Sequence, residues 1–87
     1  MEIIITKVFE KQLKSVPKYI RESAIAVLEA LEKAKNVTEI KDLKKLSGYT
    51  NYYRIRIGNY RMGLQIINPK IIVVTILNLG TIYKLFP

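Results

Sequence analysis

The stretch YYRIRIGNYRMGLQI, Tyr52–Ile66, decides the fold. Tyr53, Ile55 and Ile57 alternate with Tyr52, Arg54 and Arg56 at the period of two that marks a strand. Gly58-Asn59 then supplies a two-residue turn of the kind that tolerates positive φ. With those two residues as the loop, Ile57 faces Tyr60, Arg56 faces Arg61, Ile55 faces Met62, Arg54 faces Gly63 and Tyr53 faces Leu64. One face of the hairpin is then apolar, carrying Tyr53, Ile55, Ile57, Tyr60, Met62, Leu64 and Ile66. The other carries Tyr52, Arg54, Arg56, Arg61, Gly63 and Gln65, so three guanidinium groups share one side.

Like charges directly opposite each other on a sheet cost a few tenths to about 1 kcal/mol. Two readings of the face follow. It is either a solvated basic surface or an anion site, since arginine is always charged and its planar fork pairs bidentately with phosphate. On the second reading Gly63, beside Arg54, leaves room for a backbone or a base to approach.

Working outward from the hairpin, Glu2–Val8 is rich in isoleucine and β-branched residues and reads as a first strand. Phe9, Leu13, Val16 and Ile20 recur at helical spacing, but Pro17 interrupts them and suits the first turn of a new helix. The expectation is a short helix over 10–15 and a longer one over 17–35, the latter with Ile20, Ala24, Val27, Leu31 and Ala34 on one stripe. Residues 36–50 read as a connector. Ile71–Leu79 reads as a last strand ended by Gly80, and the tail TIYKLFP as one helical turn. The order β-α-α-β-β-β predicts a single α+β domain over 1–87, a helical hairpin packed on one face of a small antiparallel sheet, with the arginine face left free.

The charge is unevenly spread. Of 15 Lys/Arg and 7 Asp/Glu, net +8, residues 1–46 hold ten bases and all seven acids, and residues 47–87 hold the remaining five bases and no acid. A purely basic second half favours a polyanion or an acidic protein partner, through an attraction that salt weakens. The chain has neither histidine nor cysteine, which removes disulfides, thiolate metal sites and the commonest general base. No cofactor and no metal are expected. The opening MEIIITKVFE lacks the basic segment and cleavage site of a secretion signal, and no apolar run is long enough to span a bilayer, so a cytoplasmic location without membrane contact is expected. The chemistry left to the chain is that of arginines, lysines and tyrosines, which suit stabilising charge at a phosphorus centre and stacking on exposed bases. A proton acceptor would have to be a tyrosine, a lysine or the nucleic acid itself, because arginine does not deprotonate.

The segment KLSGYTNYYRIRIGNYRMGLQI, followed by an apolar strand and IYKLF, resembles the RelE/ParE superfamily of toxins from type II toxin-antitoxin systems. The superfamily's usual pattern is a Leu-x-Gly turn, then Tyr-Arg-Ile-Arg-Val-Gly-Asp-Tyr-Arg, then a strand ending near Gly-His-Arg and a tyrosine. The resemblance spans essentially the whole chain. It implies a RelE-like fold and a metal-independent endoribonuclease that cuts mRNA on the ribosome by driving a ribose 2′-OH onto the adjacent phosphate. By position it implies catalytic roles for Arg54, Arg56, Arg61 and the C-terminal Tyr83. Lys44, Lys45, Tyr52, Gln65 and Lys84 are the candidate RNA contacts around them. Where many members carry His-Arg at the end of the last strand, this chain has Asn78-Leu79, so one expected cation is missing. Two alternatives stay open beside the mRNA interferase: a ParE-like inhibitor that binds DNA gyrase, and a member without chemistry that only binds antitoxin or RNA. Tyr83 has a second reading too, as a packing residue of the tail. The resemblance and the charge together predict a cognate acidic antitoxin that either covers the arginine face or displaces the tail carrying Tyr83.

Overall fold

The computed structural model describes residues Met1–Pro87. Its elements are β1 (Glu2–Ile5), α1 (Lys7–Leu13), α2 (Lys18–Lys33), a 3-10 turn (Val37–Glu39), β2 (Leu43–Lys45), β3 (Tyr52–Ile57), β4 (Tyr60–Ile67), β5 (Lys70–Asn78) and α3 (Leu79–Leu85). The five strands form one sheet in the order β1-β5-β4-β3-β2. The β3–β4 register is the one the hairpin alternation requires, with Arg56 opposite Arg61, Arg54 opposite Gly63 and Ile57 opposite Tyr60. Gly58 has φ +57 and Asn59 does not share a positive φ, the pattern of a turn with glycine at its first central position.

The α+β class and the helical hairpin on one sheet face agree with the sequence, while four details differ. First, β1 stops at Ile5 and α1 begins at Lys7, although the β-branched run continues to Val8. Thr6 makes the change: its hydroxyl accepts from the Phe9 amide as a helix cap and donates to the Val73 and Val74 carbonyls at 3.1 and 2.9 Å. Helical phase buries Phe9 completely and leaves Val8 outside. Second, β1 pairs with β5 in parallel, so the sheet is mixed and not wholly antiparallel. Beyond the end of β1, Gln12 takes over the free edge of β5, its side-chain oxygen accepting from Thr75 Oγ1 at 2.7 Å and the Ile76 amide at 2.9 Å.

Third, the connector holds a strand, since Leu43–Lys45 pairs with Tyr53–Ile55. Three residues are too few for periodicity to reveal. Fourth, the last strand ends at Asn78, and the tail is a helix of seven residues that contains Gly80. Asn78 starts it, its side chain accepting from the Thr81 amide at 3.0 Å, while the Leu79 amide donates to the Asn59 carbonyl in the hairpin turn. Pro17 and Arg21 close the other junction. The proline carbonyl accepts from Ile20 and Arg21, and the Arg21 guanidinium donates to the carbonyls of Leu13, Lys14 and Val16 at the end of α1.

The main core lies between the helices and the sheet face that carries Ile55, Ile57, Met62, Leu64 and Ile66, with Phe9, Ile20, Ala24 and Leu31 from the helices. Tyr53 and Tyr60 pack against it half-buried, as their place on the apolar face predicts. A smaller cluster lies on the opposite face, where Ile82 and Phe86 of the tail meet Leu46, with Tyr52, Val74 and Leu77 against them. The arginine face is therefore partly covered. In particular, the space over Gly63 is filled, because a Cβ there would sit 2.9 Å from the Phe86 ring. The opening expected beside Arg54 is the seat of the tail.

Gly63→Ala should accordingly lift Phe86 and loosen α3, with a cost of about 1–3 kcal/mol from overpacking. Hydrogen exchange should quicken at residues 79–86 and stay unchanged in β3 and β4. Unchanged protection of the tail would mean that the ring moves aside without freeing the helix.

Candidate functional site: a basic cleft beneath the C-terminal helix

Strand alternation places Arg54 and Arg56 of β3 on the same side as Arg61 of β4. The short β2 adds Lys44 directly opposite Arg54. From the other direction α3 lowers Tyr83 over the strand, so that the Arg54 guanidinium carbon lies 4.5 Å from the centre of its ring. Arg54, Arg56, Arg61, Lys44, Tyr83 and Asp42 together line a cleft of about 220 Å³. Chain segments separated by as much as 41 residues thus meet at one point, brought there by the sheet pairing and the turn of the tail.

The three arginines are held differently. Arg54 is half-buried, and its Nε is buried without a hydrogen-bond partner. An orphaned donor costs about 1–3 kcal/mol. Stacking on Tyr83 offsets part of that cost, and an anion in the cleft is the natural partner for the rest of the fork. Arg61 folds back on the hairpin turn, with Nη1 donating to the carbonyls of Gly58 at 3.0 Å and Tyr60 at 2.8 Å. Its remaining N–H groups stay uncommitted by those two bonds. Arg56 is exposed.

Tyr83 is also largely exposed, yet its phenol is pulled below its ordinary value. Hydrogen bonding from Arg54 to the ionised oxygen leads and the charge of Arg54 follows; burial opposes them, and Lys44 and Arg61 add the smallest lowering contributions.

All four residues expected to act in catalysis therefore meet in this cleft. The five expected RNA contacts are spread more widely. Lys44 is inside the cleft, and Lys84 lines a neighbouring one of about 280 Å³ that shares Arg54 and Tyr83. Tyr52 is half-buried, edge-on to Phe86 at 5.6 Å and to Tyr49 at 6.4 Å. Gln65 stands across from Tyr52 and lines neither cleft. Lys45 pairs with Tyr53, which sets it on the opposite side of the sheet from Arg54. Leu79, where the resemblance led to the expectation of an arginine, opens α3 beside the hairpin turn and does not line the cleft.

Asp42 went unseen in the sequence. It precedes β2 at φ +59, a left-handed conformation that aspartate tolerates better than most residues, and this turns it toward the arginines. The available signal was an acid inside the basic run KDLKKL, which by itself says nothing about a strand starting one residue later.

Comparison with known proteins agrees with this fold. Residues 3–83 match the family of the ParE toxin of the type II toxin-antitoxin system parDE. The chain is 40% identical over 88 residues to Toxin RelE3 of Methanocaldococcus jannaschii, a match covering the whole of both proteins. Among solved structures, it resembles a chain of the RelB-RelE antitoxin-toxin complex from Methanococcus jannaschii with a TM-score of 0.82 and 39% identity, over 97% of this chain and 99% of that one. It also resembles a chain of the archaeal RelE-RelB complex from Pyrococcus horikoshii OT3, with a TM-score of 0.74 and 26% identity, over 91% and 94% of the two chains. No helix of the protein is long and apolar enough to cross a membrane.

Proposed function

The chain belongs to the RelE/ParE superfamily of toxins from type II toxin-antitoxin systems, and from that premise we propose that it is a ribosome-dependent mRNA endonuclease held in check by a cognate antitoxin. The observation that carries the reading is the convergence of Arg54, Arg56, Arg61, Lys44 and a tyrosine of lowered pKa on one cleft. Attack of a ribose 2′-OH on the adjacent phosphate places additional negative charge on the phosphoryl oxygens, and fixed guanidinium groups stabilise that charge most where it is greatest, in the transition state. The bond that forms is 2′-O to phosphorus and the bond that breaks is phosphorus to the 5′-oxygen, leaving a cyclic phosphate and a 5′-hydroxyl. The proton of the 2′-OH needs an acceptor, and the departing 5′-oxygen takes a proton from solvent water. Tyr83, ionised more readily than an ordinary tyrosine because Arg54 faces it, is the acceptor.

The partner is an antitoxin of the RelB kind, as in the complexes of the solved relatives. A chain of net charge +8 with a basic cleft suits an acidic wrapping segment. Action on the ribosome puts the protein in the cytoplasm.

A translation extract with primer extension decides between targets. New 5′ ends within translated mRNA are expected; intact mRNA together with loss of gyrase supercoiling would transfer the chain to the gyrase inhibitors. The same assay tests Tyr83. Because its folded pKa is lowered, the ionised acceptor grows with pH earlier than a free tyrosine would, so the wild-type rate should climb on the alkaline side. Tyr83→Phe should remove that rise and slow cleavage by about 10²-fold or more. A variant that keeps the rise would show the proton going to an acceptor other than Tyr83.

A further inference from the structure

The second cleft, of about 280 Å³, lies against the Arg54–Tyr83 pair and is walled further by Ser47, Tyr49, Lys84 and Phe86. Since the arginine cleft shares the same pair, the two are neighbours with a common wall. The aromatic residues on this side form a row. Phe86 meets Tyr52 edge-to-face at 5.6 Å, and Tyr52 meets Tyr49 edge-to-face at 6.4 Å. Tyr52 is an inner member of that row and is half-buried. Tyr49 ends it and is 52% exposed, which leaves ring surface for a planar ligand.

Tyr49 is also firmly mounted. Its loop is closed at the base by the Leu46 amide donating to the Tyr52 carbonyl at 2.9 Å, and the Ile66 amide ties Asn51 to β4 at 2.8 Å. Gly48 and Asn51 take the left-handed conformations that so tight a loop needs, at φ +81 and +67. A ring held this way loses little freedom on binding.

We propose that this second cleft is a nucleobase subsite. It receives the base next to the phosphate held by the arginines, with Tyr49 as the stacking platform and Lys84 and Ser47 at the polar rim. The inference rests on the RNA reading of the arginine cleft and adds the residue that grips the flanking nucleotide. Stacking on an aromatic ring is tolerant of base identity and insensitive to salt, whereas contacts to phosphate weaken as salt rises.

Those two properties define the test. Binding of a non-cleavable 2′-O-methyl trinucleotide, and of the same backbone with its bases removed, is measured over a salt series. Tyr49→Ala should weaken the trinucleotide by about 5- to 100-fold, leave the abasic backbone unchanged and preserve the salt slope. Tyr49→Phe should bind like the wild type. Arg56→Ala should weaken both ligands and reduce the slope by about 0.7. Equal loss for both ligands in Tyr49→Ala would mark Tyr49 as a loop support and overturn the subsite, as would no loss at all. Wild-type protein that binds neither ligand also overturns it, and the primer-extension assay then judges the RNA reading separately.

Discussion

Arg61→Ala should reduce mRNA cleavage by about 10²- to 10³-fold while leaving the protein folded. The kinetic loss is what removing one preorganised donor from a developing oxyanion typically costs. The stability change is a balance of two opposing terms. The substitution removes the bonds from Nη1 to the Gly58 and Tyr60 carbonyls, which are partly exposed and together worth on the order of 1 kcal/mol. It also removes the cross-strand repulsion between Arg61 and Arg56, worth a few tenths to about 1 kcal/mol in the other direction. The two nearly cancel, so the melting temperature should move by a few degrees at most. Arg61→Lys should recover little activity, because a single ammonium cannot hold the turn carbonyls and reach a phosphate with the geometry of a fork. A large fall in melting temperature for Arg61→Ala would show that the arginine serves the hairpin turn and not the cleft.

Phe9→Ala should act through the fold instead. Phe9 is fully buried, in the cluster that joins α1 to the sheet, and truncating a buried phenylalanine costs about 3–5 kcal/mol. A domain of 87 residues has roughly 4–13 kcal/mol of stability in total. The substitution therefore removes a large part of it, and the midpoint of thermal unfolding should fall by about 12 °C or more. Activity should vanish with the folded fraction and return on cooling, whereas Arg61→Ala stays inactive at every temperature. A Phe9→Ala protein that melts normally would mean that α1 contributes little to the core.

The hairpin was legible because its signals are local. Alternation over Tyr52–Ile57 and the Gly58-Asn59 turn set the register without help from the rest of the chain, and register alone puts Arg54, Arg56 and Arg61 on one side. The stripe Ile20, Ala24, Val27, Leu31 and Ala34 likewise announced the side that α2 and its cap residue Ala34 turn to the core, with Val27 half-buried and the other four buried. Elements that depend on distant partners were not legible. The three residues of β2 are extended because β3 offers them hydrogen bonds, and Thr6 ends β1 because the Val73 and Val74 carbonyls stand ready to accept from it.

By itself, then, the sequence determined the α+β class, the hairpin register and the shared side of the arginines, and KLSGYTNYYRIRIGNYRMGLQI carried the resemblance to the superfamily. Only the tertiary structure decided what that side faces. Gly63 could be understood as a vacancy until Phe86 was seen to fill it, Tyr83 as a packing residue until Arg54 was seen against its ring, and Asp42 not at all until β2 brought it to the cleft. The physical reason is that short-range periodicity is written in adjacent residues, whereas a cleft is made where segments far apart in the chain compete to bury the same surface.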